Sequence, residues 1–168
     1  MKIDVTNLFN GDVKPVSINY TLNLDDLVYG TYNPIEKGAE VKGSVYQKAG
    51  VVYFDADVSF DFNGFCDRCA EPLSRKMNFS LNKILVNSLA NDADADFDYY
   101  VVVENGVLDV DEFIREEIQL FLPNKILCSE DCKGLCQKCG KNLNFGKCDC
   151  KKDVDPRMAA LLQLLDEE

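Results

Sequence analysis

The sequence contains no histidine, and this absence removes several kinds of chemistry. Histidine is the most common general base and the usual partner of a nucleophilic serine or cysteine, so hydrolysis by a Ser-His or Cys-His pair is excluded. Zinc sites with imidazole ligands are excluded too. An open catalytic zinc site usually includes histidine or a carboxylate among its three protein ligands, so the sequence disfavours one.

Long apolar segments are also missing. No segment approaches the roughly twenty consecutive apolar residues that span a bilayer, and residues 1–10 lack an apolar run of the signal-peptide type. We therefore expect a cytoplasmic protein without membrane contact. We also expect no small-molecule substrate. With 46% apolar residues in a chain of 168, there is enough apolar surface for a core of ordinary size.

Basic residues are scarce: 18 lysines and arginines face 29 acidic residues, for a net charge of -11. Such a charge opposes non-specific binding to nucleic acid. Residues 125–152 are the exception, because seven lysines outnumber three acidic residues there and give a formal charge of +4. These lysines either offset the charge of a metal–thiolate site or form a recognition patch, for which the candidates are Lys133, Lys138, Lys141, Lys147, Lys151 and Lys152.

Alternating apolar residues predict an antiparallel sheet. The period is two over 13–24 and 51–62, and it is looser over 40–47. On the second of these strands one face carries Phe54, Ala56, Val58, Phe60 and Phe62. We expect an α+β fold with an antiparallel, partly barrel-like sheet, packed by one or two helices and followed by a C-terminal Cys-rich zinc knuckle.

Two helices are predicted after the strands. Asp109 or Asp111 can cap a helix over about 111–122, which Pro123 ends. Its apolar stripe should widen toward the C-terminal end, with the members Phe113, Ile114, Ile118, Leu120, Phe121 and Leu122. A second amphipathic helix is expected within 153–168. The predicted organisation is a β-rich core over 1–124, a Cys-rich zinc-binding segment over 125–152 and a C-terminal helix over 153–168.

Eight cysteines form four close pairs, which are Cys66-x2-Cys69, Cys128-x3-Cys132, Cys136-x2-Cys139 and Cys148-x-Cys150. In a reducing compartment such pairs more often bind metal than form disulfides, and without histidine they suit closed zinc sites of four thiolates. One alternative is a thiol redox site at Cys66 and Cys69, although the flanking strands disfavour it. The other is a disulfide framework.

The four pairs can combine into two zinc sites in three ways. We favour Cys66, Cys69, Cys128 and Cys132 at one ion, with Cys136, Cys139, Cys148 and Cys150 at a second. The first site would join the connection between two strands to the segment after the helix. The spacing Cys148-x-Cys150 is the weak point of the second site, so a single zinc with spare thiols remains an alternative.

The motifs resemble the YceD family, the large ribosomal RNA subunit accumulation proteins, in the Gram-positive form with extra C-terminal cysteines. The resemblance rests on Cys66-Asp-Arg-Cys69-Ala-Glu-Pro72, on Cys128-x3-Cys132-x3-Cys136-x2-Cys139-Gly followed by Asn142-Leu-Asn144, and on Cys148-Asp-Cys150. It spans nearly the whole chain.

This resemblance implies a non-enzymatic role in 23S ribosomal RNA accumulation or processing, and hence in assembly of the large ribosomal subunit. The acidic body favours action through a basic ribosomal protein of that subunit. Direct contact of the 125–152 segment with 23S RNA is the second possibility. An interaction module unrelated to ribosomes is the third.

Overall fold

The computed structural model describes residues 1–11, 14–88 and 99–150. The chain forms two compact units: unit 1 comprises Met1–Gly64 and Pro72–Ile126, and unit 2 comprises Phe65–Glu71 and Leu127–Glu168. The helix expected within 153–168 lies outside the described residues. No helix among the described residues is long and apolar enough to cross a membrane.

Unit 1 is built around a five-stranded sheet. Its strands are β2 (Val16–Leu22), β3 (Ala39–Lys48), β4 (Val51–Phe65), β5 (Pro72–Val86) and β6 (Tyr100–Val102), and they are neighbours in that order. Strands β2, β3 and β4 pair antiparallel. A tight turn joins β3 to β4, where Ala49 and Gly50 have positive φ angles of 53° and 84°.

The sheet is open, with β2 and β6 at its edges, so the barrel-like part of the expectation is wrong. The α+β class and the mostly antiparallel sheet are confirmed. Strand β6 pairs parallel with β5, with Ile84 opposite Tyr100. A three-residue strand running parallel to its neighbour supplies a short edge instead of closing the sheet.

One face of the sheet forms the core of unit 1. The predicted stripe on β4 is confirmed, because Phe54, Ala56, Val58, Phe60 and Phe62 are all buried. Helix α2 (Val110–Phe121) begins with Asp109 as its N-cap, whose side chain accepts a hydrogen bond from the Glu112 N–H. Buried Ile114 and Ile118 of this helix join the same apolar cluster. Lys83 of β5 and Glu117 of α2 add an ion pair of 2.7 Å.

The C-terminal end of α2 differs from the expected stripe. Phe121 stacks on Phe79 of β5, with ring centroids 4.5 Å apart, but Leu120 is 81% exposed. Successive helical positions are about 100° apart, so a residue next to a contacting residue easily faces away from the sheet.

A small second sheet belongs to the same unit. Strand β1 (Lys2–Asp4) pairs antiparallel with β7 (Val107–Asp109). The short helix α1 (Thr6–Phe9) follows β1, and a 3-10 turn (Glu104–Gly106) precedes β7. Asp111 at the start of α2 binds the N-terminal amino group of Met1 and accepts a hydrogen bond of 2.7 Å from the Tyr20 hydroxyl.

The opposite face of the sheet is polar. Asp55 accepts hydrogen bonds from Tyr46 at 2.7 Å and from Asn82 at 3.0 Å. Ser80 donates to Asp57 at 2.6 Å. Asp57 and Asp61 are exposed, so part of the chain's negative charge is displayed on this face.

Candidate metal centre

The first cysteine pair forms a tight turn between β4 and β5. The Cys66 N–H donates to the Glu71 carbonyl at 2.9 Å, and the Ala70 N–H donates to the Cys66 carbonyl at 2.8 Å. This geometry needs a positive φ angle after Cys69, and Ala70 adopts 56°. The turn directs both thiols to one side of the backbone, which is the arrangement that two ligands of one ion require.

The pair Cys136 and Cys139 repeats this turn. The Cys136 N–H donates to the Lys141 carbonyl at 2.9 Å, and the Gly140 N–H donates to the Cys136 carbonyl at 2.9 Å. Here Gly140 has the positive φ angle, 70°, which glycine adopts without steric cost. The chain therefore contains two copies of one cysteine turn, and both lie in unit 2.

The structure gathers the eight cysteines into two groups of four. The first group is Cys66, Cys69, Cys128 and Cys132, and the second is Cys136, Cys139, Cys148 and Cys150. Within each group all the sulfur atoms lie within 4.8 Å of one another. This is the partition that the sequence favours, and the one-residue spacing of Cys148 and Cys150 does not prevent the second group from forming.

The first cluster has the dimensions of a tetrahedral thiolate site. Its Cys66–Cys132 and Cys69–Cys128 sulfur distances are 3.7 and 3.6 Å. A zinc ion with four Zn–S bonds of about 2.3 Å would hold its sulfurs about 3.8 Å apart. Four cysteines at these distances can hold a metal ion without moving far.

The two clusters differ in burial. Cys66, Cys69 and Cys132 are at most 3% exposed, and Cys128 is the exposed member of the first cluster. In the second cluster, Cys139 and Cys150 are exposed and the other two thiols are half-buried. Solvent and reagents therefore reach the second cluster more easily than the first.

The thiols of each cluster differ in acidity. Burial opposes ionisation of Cys66, but hydrogen bonds from backbone groups outweigh it and lower the pKa of Cys66 to about 6. Backbone hydrogen bonds at Cys139 and Lys138 likewise lower the pKa of Cys136 to about 6. The neighbouring Cys139 thiol raises the pKa of Cys150 to about 12. One thiol of each set ionises readily while a close neighbour resists, and a divalent cation would stabilise all four thiolates together.

Asn144 supports the first cluster from outside it. Its side-chain carbonyl accepts a hydrogen bond from the Lys133 N–H at 2.8 Å, which leaves its amide to donate to the Cys132 sulfur at 3.3 Å. This second bond is the main cause that lowers the pKa of Cys132. Groups that donate to a ligand atom fix its orientation and stabilise its charged form.

Three further hydrogen bonds join the segments of unit 2. Arg68 donates through Nη1 to the Cys132 carbonyl at 3.0 Å, and its own carbonyl accepts from the Leu135 N–H at 3.1 Å. Asn142 donates to the Glu71 carboxylate at 3.1 Å. Sequence reasoning missed these supporting roles of Arg68, Asn142 and Asn144, although Asn142-Leu-Asn144 was part of the motif that carried the resemblance.

The structure describes four of the six candidate contact lysines. Lys133, Lys138, Lys141 and Lys147 are exposed on the segment that carries the second cysteine turn. Lys141 donates through Nζ to the Lys147 carbonyl at 2.8 Å, which joins the end of the second cysteine turn to the residue before Cys148. Lys151 and Lys152 lie outside the described residues.

Comparison with known proteins places this site in a family. The model of the family described as large ribosomal RNA subunit accumulation protein YceD matches residues 54–165, which include all eight cysteines. The chain belongs to the YceD family. No solved structure matches the chain.

Relatives within and beyond bacteria support this assignment. The uncharacterized protein YlbN of Bacillus subtilis is 32% identical over 130 residues, which cover 76% of this chain and 74% of YlbN. A Zea mays protein named large ribosomal RNA subunit accumulation protein YCED homolog 1, chloroplastic, is 28% identical over 66% of this chain. The uncharacterized protein Rv2926c of Mycobacterium tuberculosis is 29% identical over 62% of the chain.

The coverage of these relatives differs. The chain spans about half the length of the Zea mays and Mycobacterium tuberculosis relatives, 48% and 51%. The activities of these longer relatives therefore need not all apply to this chain.

Proposed function

We propose that this protein is a non-enzymatic, zinc-stabilised factor for the accumulation and processing of 23S ribosomal RNA, and so for large-subunit assembly in the cytoplasm. The observation that carries the proposal is YceD-family membership over the segment that contains both cysteine clusters. Closed sites of four thiolates are structural, because they leave no ligand position open for a substrate. Zinc would then stabilise unit 2 as a binding module.

A basic ribosomal protein of the large subunit is the partner that the acidic charge of residues 1–124 favours. Residues 1–124 carry a formal charge of -11, and exposed Asp57 and Asp61 display part of it on the polar face of the sheet. Opposite charge raises the rate and specificity of association. Reversing these two charges, with Asp57→Lys and Asp61→Lys, should weaken binding to a purified basic ribosomal protein.

The test of the role itself is made in cells. Depletion of the protein should lower the ratio of large-subunit to small-subunit ribosomal RNA, and a plasmid copy of the wild-type chain should restore it. A Cys66→Ser copy should restore it poorly, because the first cluster would lose a ligand. An unchanged ratio after depletion would sink the proposed role.

A thiol redox function at Cys66 and Cys69 is the second candidate, and the lowered pKa of Cys66 is the observation that favours it. The two proposals predict different chemistry in native protein. A zinc-stabilised factor holds these thiols against alkylation until a chelator is added, whereas a redox enzyme presents one rapidly alkylated thiol and an exchangeable disulfide.

A further inference from the structure

An exposed aromatic ring lies among the lysines of unit 2. Phe145 is 79% exposed, more than any other aromatic side chain among the described residues. It follows Asn144 and lies two residues before Lys147. A single exposed apolar residue is ordinary, so the surroundings of this ring decide whether it has a role.

The backbone around Phe145 forms a hydrogen-bonded turn. The Phe145 N–H donates to the Asn142 carbonyl at 3.4 Å, and the Asn144 side chain is bound to the Lys133 N–H. Leu135 and Asn142 form an isolated antiparallel β-bridge within this segment. The ring is therefore displayed from a hydrogen-bonded turn of the backbone, which a ligand would not have to order on binding.

The segment that carries the ring is basic, although the Glu71 carboxylate accepts a hydrogen bond from its Asn142 side chain. Residues 133–147 contain four lysines and no acidic residue, within a chain whose net charge is -11. Lys133 is tied to this turn through Asn144, and Lys141 is tied to Lys147. The segment therefore carries exposed cationic side chains together with an aromatic ring that is open to solvent.

We propose that this surface, defined by Phe145 with Lys133, Lys141 and Lys147, binds single-stranded RNA. Phe145 stacks on one unpaired base, and the lysines contact the flanking phosphates. The Phe145 ring can stack only on a base that is not already stacked on its neighbours in a helix. Loops and unpaired segments are therefore favoured over duplex. The inference rests on the proposed role in ribosomal RNA accumulation and names the ligand of unit 2.

The contributions of stacking and of charge to the binding affinity can be separated, because only the second depends strongly on salt. Three phosphate contacts to a single strand should give a slope of about -2 in a plot of log K against log salt. Phe145→Ala should weaken binding by roughly 5- to 150-fold and leave that slope unchanged. Lys141→Ala should make the slope shallower by about 0.7, and Phe145→Trp should retain binding.

The probe is a fluorescent twelve-nucleotide oligouridine, with its oligoadenine duplex for comparison, titrated with zinc-loaded full-length protein and followed by anisotropy. Leu120→Ala is the matched control, since Leu120 is a similarly exposed apolar residue of unit 1. Lys48→Ala is the corresponding control for Lys141→Ala. Both controls should bind as the wild type does.

Four results would overturn the inference, and three of them concern RNA: no binding to the single strand, duplex bound as tightly as single strand, or equal affinity for Phe145→Ala and wild type. In the fourth result, Phe145→Ala loses binding to a basic ribosomal protein and keeps its binding to RNA. The surface would then be a protein contact, and the inference would be refuted. None of these results changes the expected outcome of the depletion test, which measures ribosomal RNA in cells. Failure of this inference and failure of the proposed role are therefore distinguishable.

Discussion

Ala70 and Gly140 occupy the same position in two copies of one cysteine turn, and both have positive φ angles, 56° and 70°. The backbone hydrogen bonds around them also match, since each N–H donates to the carbonyl of the first cysteine of its pair. Only glycine adopts this conformation without steric cost, so the first turn stores strain that the second does not.

Opposite substitutions at these two positions should have opposite effects. Ala70→Gly should stabilise the zinc-loaded protein by about 0.5–1 kcal/mol, and Gly140→Ala should destabilise it by a similar amount. Urea unfolding in the presence of zinc measures both. Ala49→Gly, at a positive φ angle in the β3–β4 turn, controls for effects outside unit 2, because it should change stability without changing zinc affinity. Changes of the same sign at Ala70 and Gly140 would contradict the shared geometry.

Removal of the Asn144 amide should weaken the first cluster selectively. Asn144→Ala deletes the hydrogen bond to the Cys132 sulfur, and loss of such a supporting group typically costs 10- to 100-fold in metal affinity. Asn144→Asp keeps an oxygen for the Lys133 N–H but adds negative charge beside a thiolate, so it should be at least as harmful. Competition with a chromophoric chelator gives the affinity. Asn82→Ala is the control, because Asn82 lies in unit 1 and donates to the Asp55 carboxylate instead of to a thiol.

Native protein should contain two zinc ions that are released to a chelator at different rates. Cys139 and Cys150 of the second cluster are exposed, whereas three thiols of the first are buried, so a chelator should remove the second ion first. Cys136→Ser should abolish the fast phase of release, and Cys66→Ser should abolish the slow phase. Elemental analysis gives the stoichiometry. One ion per chain would contradict the second site, and release in a single phase would contradict the assigned difference in access.

The Asp111 carboxylate should make stability depend on pH in the acid range. Burial opposes its ionisation, but the Met1 amino group and the Tyr20 hydroxyl outweigh that effect and hold the pKa of Asp111 below its usual 3.8. A carboxyl whose pKa is lower in the folded state stabilises the protein above its unfolded pKa, and this contribution is lost as the pH falls through the folded value.

Asp111→Asn should therefore destabilise the protein at pH 6–7, by about 1 kcal/mol or less because the group is partly exposed. This difference should shrink as the pH falls below the unfolded pKa of about 3.9, and it should be lost as the pH falls through the lower folded pKa. Urea unfolding of the two proteins side by side removes the shared effect of metal loss in acid. A difference that stays constant down to pH 3 would show that ionisation of Asp111 is not the cause.

The sequence predicts best where a local rule decides the structure. Burial of Phe54, Val58 and Phe62 follows from a period of two, and the N-cap at Asp109 follows from an acidic side chain before an apolar helix. The partition of the cysteines also followed from local reasoning, because the second set is nearly continuous in the sequence.

The features that the sequence does not predict depend on contacts between distant parts of the chain. The parallel pairing of β6 with β5 depends on the path of the chain between them, so no local pattern shows that the sheet stays open. Ala70 gives no sign of its positive φ angle, since alanine usually favours helix. The hydrogen bond from Asn144 to Cys132 joins residues twelve positions apart and becomes visible only once both turns have formed.

The order of the two units along the chain has a mechanical consequence. Pro72–Ile126 of unit 1 lie between the two segments of unit 2, and Cys69 and Cys128 at either end bring their sulfurs within 3.6 Å. A metal ion at the first cluster would make this stretch a closed ring, as a disulfide does. A protease that cut the ring once would not release a fragment, because both pieces would stay joined through the four sulfurs of that cluster until a chelator removed the ion.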